Sequence, residues 1–220
     1  MIVTRQKSFE DILKQVDKGP AFLIGCSECA TLCHTGGEEE IIQMKMNLEQ
    51  KKIIVTGWIV LDPACHLQNN KRLLKTHHDE LLQAKKIIVF ACGNGIQTVR
   101  ELTTDADVIT GTETLFLGEI KHINEFEKRC IQCGECVVDD YFGLCPVSRC
   151  PKSMLNGPCG GAKNGHCEVD EELECIWDLV YKQLKSKGRL AQLKTIQKPK
   201  DWQKATQTRR IVTHDRSQQP

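Results

Sequence analysis

Aromatic side chains are scarce in this chain of 220 residues, at 5% of the total. Long apolar runs are missing as well: no stretch approaches the roughly 18–20 residues of a membrane-spanning helix. The opening MIVTRQKSFEDILKQVDKG has no apolar stretch behind a basic start, so neither a secretory leader nor a membrane span is expected. The expected location is the cytoplasm. An excess of charge is also absent, because 30 Lys and Arg stand against 29 Asp and Glu and the net charge of +1 exerts no overall pull on nucleic acid or an anionic membrane. The chain lacks a nucleotide-binding glycine fingerprint, a GxSxG elbow, an HExxH helix and any evident acid/base pair. These absences argue against a chain that transforms an organic substrate unaided.

Cysteine is what the chain has in quantity, with 13 residues. In a reducing compartment they cannot be read as a disulfide framework, and an odd number would leave one unpaired. Metal binding is the natural reading. Eight of them (Cys130, Cys133, Cys136, Cys145, Cys150, Cys159, Cys167 and Cys175) fall within 46 residues that hold few large apolar side chains. Thiolate–metal bonds would there replace part of a missing core.

The pattern up to about residue 125 predicts an α/β fold. Ser8 caps a helix reaching Lys18, with Gly19 as its stop. Strands are expected at 21–25, 51–60, 86–92 and 106–110, and helices at 38–50 and 70–84. Strands separated by helices imply a small open parallel sheet flanked by helices. Such a sheet holds ligands outside the carboxyl ends of its strands, which would gather Cys26, Cys29, Cys33, Cys65 and Cys92 at one rim. The expected organisation is a domain over 1–125, an irregular cysteine-rich cluster-binding segment over 126–187 and a basic extended tail over 188–220. The segment closes with an amphipathic helix over 171–187, whose apolar face is Leu173, Ile176, Leu179, Val180 and Leu184. Residues 182–220 hold eleven Lys or Arg against two Asp, and the tail is expected to be extended or wrapped on a partner.

CxxCxxC at Cys130, Cys133 and Cys136 lets three thiolates reach three irons of a cubane, with a remote cysteine for the fourth. Either Cys145 or Cys150, each followed by proline, could supply it. The other, with Cys159, Cys167 and Cys175, would make a second site. Zinc is the alternative at both, although zinc fingers favour paired CxxC arms, and simple buried thiols are the plain alternative. The third set, Cys26, Cys29 and Cys33, needs Cys92 or Cys65, with Cys92 favoured because FACGNG leaves a strand into a glycine turn. A redox dithiol at Cys26 and Cys29 would leave Cys33 and Cys92 without a role. CATLCH has the wrong spacing for covalent haem. His34, His66 and His166 stand beside cysteines but read as solvated loop residues, and the glycines of NGPCGGAKNG read as turns around a metal site.

The run CIQCGECVVDDYFGLCPVSRCPKSMLNGPCGGAKNGHCEVD followed by CIWDLVYKQL resembles the zinc- or iron-sulfur-binding domain associated with methylenetetrahydrofolate reductases. More narrowly, residues 20–185 resemble the MetV-type small iron-sulfur subunits that accompany a flavin-bearing MetF-type subunit. The resemblance implies that folate and FMN bind only the partner, whose (β/α)8 barrel would need about 250 residues. It also implies two or three [4Fe-4S] clusters here, passing electrons from ferredoxin or another redox subunit to the partner's flavin. The competing expectation is a zinc-stabilised scaffold that docks the same enzyme without redox work. Nucleic acid is disfavoured as a partner, since the tail offers only Trp202 for stacking on bases.

Overall fold

The computed structural model describes residues 1–17, 19–103 and 106–207. The chain opens with β1 (Ile2–Gln6), a strand the sequence pattern does not announce, followed by α1 (Phe9–Val16). Ser8 is extended and its Oγ accepts the Asp11 N–H at 3.2 Å, while Asp17 closes the helix in the left-handed region, φ 49°. The expected end at Lys18 lies outside the described residues. Next come β2 (Ala21–Cys26), the short α2 (Cys29–Leu32) and α3 (Glu38–Gln50), whose bounds match the expectation. The Gly37 N–H donates to Glu40 at 2.8 Å, and Glu38 and Glu39 also place negative charge at the positive end of α3.

β3 (Val55–Leu61) starts later than expected because Lys51 and Lys52 form a turn, Lys52 at φ 62°. The helix expected over 70–84 is two, α4 (Leu67–Lys75) and α5 (His78–Gln83). The break has a local cause: Thr76 Oγ1 donates to the Leu73 carbonyl at 2.7 Å, and the His77 ring turns edge-on to Phe22, centroids 5.7 Å apart. Then follow β4 (Lys86–Val89), α6 (Gly93–Leu102), β5 (Asp107–Thr110), β6 (Thr112–His122) and β7 (Glu125–Cys130). The remaining helices are α7 (Pro146–Arg149), α8 (Ile176–Ser186) and α9 (Gln203–Gln207).

The parallel sheet has the order β3-β2-β4-β5. Alternation along β2 builds a core on each face. Phe22 and Ile24 join Leu61, Leu74, Ile87, Val89 and Val99 on one side, and Ala21 and Leu23 join Ile12, Ile41, Leu48, Ile88 and Phe90 on the other. A second sheet, β1-β6-β7, pairs β1 antiparallel to β6 and was not expected from the sequence. Most of β6 is exposed or half-buried, so its residues carry little of the hydrophobic alternation that marks a strand.

The chain divides into two units, Met1–Glu127 and Lys128–Pro220. The second is irregular around a small core of Tyr141, Ile176, Trp177, Val180 and Leu184. Its helix α8 begins at Ile176 rather than 171, because the Cys167 N–H bonds the Leu173 carbonyl at 2.8 Å and the Cys175 N–H bonds that of Gly165 at 2.7 Å, holding the preceding stretch as a loop. Leu173 is therefore exposed and outside the helical face. The tail is less extended than expected, with a 3-10 turn at Leu190–Lys194 before α9; the expectation for 208–220 lies outside the described residues. Among the described residues no helix is long and apolar enough to cross a membrane.

Candidate metal centre

In the parallel sheet the strand order reverses between β2 and β4, the place where such sheets leave a crevice at their carboxyl ends. Cys26 ends β2, Cys65 follows β3, and Cys92 follows β4 as the residue before α6. The loops are tied together by hydrogen bonds. The Cys26 N–H donates to the Gly36 carbonyl at 2.9 Å, the Ser27 N–H to that of Leu61 at 3.0 Å, and Ser27 Oγ to Asp62 at 2.8 Å. Fully buried Asn70 donates through Nδ2 to the carbonyls of Pro63 and Ala64, at 3.2 and 2.7 Å, holding the turn that delivers Cys65.

The second sheet braces this rim. Thr112 Oγ1 donates to the Ala91 carbonyl at 2.5 Å, and Thr114 Oγ1 accepts the Gly93 N–H at 2.8 Å, bracketing Cys92. On β1, the Ile2 N–H donates to Cys29 Sγ at 3.4 Å, and Cys33 Sγ lies 3.9 Å from the Ile2 carbonyl. Partial desolvation pushes the Cys65 thiol up, and the neighbouring sulfurs of Cys92, Cys26 and Cys29 add to it. Cys65 thus lies within electrostatic reach of Cys92, Cys26 and Cys29. Cys33 instead sits with Cys29 against the backbone of Ile2. Cys65 and Cys92, the two candidates the sequence offers for a fourth ligand, both stand at this rim.

In the second unit, Cys130, Cys133 and Cys136 stand on one tight loop. Gln132 is left-handed, φ 55°, and its N–H donates to Cys130 Sγ at 3.3 Å. Cys133 Sγ lies 3.4 Å from the Glu135 carbonyl. Cys145 precedes α7, and Ser148 on that helix donates to the Arg129 carbonyl at 2.7 Å, which holds α7 beside the start of the triplet. Cys150, Cys159, Cys167 and Cys175 line one small cavity with Glu168 and Trp177. Cys150 therefore shares a cavity with the last three cysteines, and Cys145 does not line it. Glu168 accepts from Cys159 Sγ, 3.2 Å away, and pairs with Lys152; the ammonium first, and the thiol second, hold its carboxyl below the usual range.

All thirteen cysteines are free thiols. Among the described residues, no three His, Cys, Asp or Glu side chains are grouped to hold a metal ion. The donor chemistry nevertheless fits a thiolate-bound group, because backbone N–H groups already point at the sulfurs of Cys29 and Cys130. Two of the three neighbouring histidines have imidazole contacts elsewhere: His66 Nδ1 accepts the Asn69 N–H at 3.2 Å as the cap of α4, and His34 Nδ1 lies 3.7 Å from the Glu40 carboxylate. The supporting residues Ser27, Asp62, Asn70 and Glu135 carry no spacing signal that would mark them in the sequence.

No curated protein and no solved structure matches the chain. A family model described as "Methylene-tetrahydrofolate reductase C terminal" matches residues 109–203, which include all eight cysteines of the second unit. That segment is similar to the C-terminal region of methylene-tetrahydrofolate reductase.

Proposed function

We propose that the chain is a MetV-type electron-transfer subunit of a methylenetetrahydrofolate reductase. It would take electrons from ferredoxin or another redox subunit and deliver them to the FMN of a MetF-type partner, where folate is reduced by two electrons. The observation that carries this reading is the coincidence of the reductase-related segment with two of three thiol sets. The proposed sets are Cys26, Cys29, Cys65 and Cys92, with Cys33 beside them; Cys130, Cys133, Cys136 and Cys145; and Cys150, Cys159, Cys167 and Cys175.

Bound [4Fe-4S] clusters would supply one-electron chemistry at these sets. The chain's own residues do the rest. The loops after β2, β3 and β4 deliver sulfurs from three directions, and the N–H groups of Ile2 and Gln132 stabilise negative charge on sulfur. A single zinc ion would draw its thiolates in to Zn–S distances of about 2.3 Å. Donors spread over several loops suit a group with separate corners better. At the third set zinc is the alternative to a cluster, since the Glu168 carboxylate in the cavity wall adds an oxygen donor beside the four cysteines.

Iron, sulfide and zinc analysis of anaerobically purified chain tests the proposal. Two or three clusters require about eight to twelve irons per chain, together with reduction of the partner's flavin when the native donor is present. A colourless, iron-poor preparation that fully supports its partner refutes it.

A further inference from the structure

The basic stretch after α8 returns to the second unit's own thiol loop. Glu135, between Cys133 and Cys136, receives three positions of that stretch. Its carboxylate accepts the Asp201 N–H at 3.1 Å and the Lys204 ammonium at 2.8 Å, while its carbonyl takes the Lys200 ammonium. The same carbonyl faces Cys133 Sγ. Upstream, Asn156 and Gln197 exchange hydrogen bonds, Nδ2 to carbonyl at 3.0 Å and N–H to Oδ1 at 2.6 Å. Gly134 completes the fit. It is left-handed, φ 71°, and a Cβ there would stand 2.9 Å from the Lys204 carbonyl oxygen. A side chain at 134 would therefore be strained by its own backbone and would push against residue 204.

We infer that residues 197–204 form a strap over the Cys130–Cys133–Cys136 loop, with Glu135 as its latch and a positioning residue for the triplet. The strap limits access to Cys133, which is half-buried, while Cys130 and Cys136 stay exposed, and it sets two ammonium groups beside a loop that would gather thiolate charge. Its role toward a bound cluster rests on the proposed ligand assignment, whereas its cover of Cys133 does not.

The test uses the full chain. In metal-free, reduced protein, alkylation by iodoacetamide is followed cysteine by cysteine by peptide mass spectrometry, in wild type, Glu135→Gln and Lys204→Gln. Both variants should speed alkylation of the half-buried Cys133 by about three- to tenfold, the range expected for losing one latch of exposed ion pairs and backbone bonds, while the exposed Cys130 and Cys136 change less. Cys26 and Cys29 should keep their wild-type rates. In iron-loaded protein the same variants should lose triplet-bound iron faster to a chelator. Unchanged alkylation in both variants overturns the strap. Wild-type protein that takes up no iron, with the alkylation difference intact, overturns the ligand assignment and leaves the strap standing. Lys204→Gln lies outside the thiol loop, so it remains informative if Glu135→Gln fails to fold.

Discussion

At the scale of single residues, the backbone is closely approached just before the first thiol. A Cβ on Gly25 would stand 2.4 Å from the Gly36 carbonyl oxygen, and one on Gly36 would stand 2.1 Å from that of Phe90. This closeness lets Gly36 accept the Cys26 N–H and fixes where that sulfur stands. Gly25→Ala should cost about 1–3 kcal/mol, as overpacking of a filled interior does, read as a lower urea midpoint at unchanged slope. The proposed thiol sets rest on spacing, because a wrapped ligand group would leave short, regular intervals. Their supports were not legible in the sequence: Glu135 meets residues 65 to 69 positions away, and Asn70 reaches back to its turn from inside a polar helical run. One local signal does exist. Cys92, Cys145 and Cys175 each occupy the residue before a helix, where Ser, Thr, Asp or Asn usually stands, and none caps through its side chain. A cysteine there leaves its sulfur available for another task.

At the scale of elements, the parallel strands were readable because both faces of the sheet are covered and their sequences are continuous apolar runs. The antiparallel β1-β6-β7 sheet was not, since β6 is too exposed to show a period. Yet this unannounced sheet is what buttresses Cys29, Cys33 and Cys92. At the edge of the parallel sheet, Lys86 and Asp107 face each other in register and form an ion pair of 2.8 Å. The Lys86 ammonium, by hydrogen bond and by charge, holds the Asp107 carboxyl below its ordinary value of 3.8. A lowered folded-state value means the contribution is present above the unfolded-state value and lost as pH falls through the folded one. Asp107→Asn should therefore lower the urea midpoint slightly at pH 6, and its difference from wild type should begin to shrink as pH falls through about 3.8 and vanish below the lowered folded-state value.

At the scale of the whole molecule, the two units differ in what holds them. Met1–Glu127 has a buried apolar layer on each face of a sheet, whereas the second unit relies on five buried residues around α8. Five such side chains make a marginal core, so bound metal would supply much of the stability there. Chelation under reducing conditions should thus lower the melting of the second unit, followed by Trp177 fluorescence in a Trp58→Phe, Trp202→Phe background, while the strand and helix signal of the first persists. Loss of both together would mean that the first unit depends on metal as well.

The thiol sets also differ in how far apart their members lie along the chain. Cys26 and Cys92 meet only once β2 and β4 are paired side by side, with the turn after β3 in place. Cys130 to Cys145 and Cys150 to Cys175, by contrast, are neighbours in the unfolded polypeptide. Biogenesis of a loaded chain would accordingly run in two orders within one molecule: the early cysteines wait for a finished scaffold, and the later ones can capture their cargo first and fold around it.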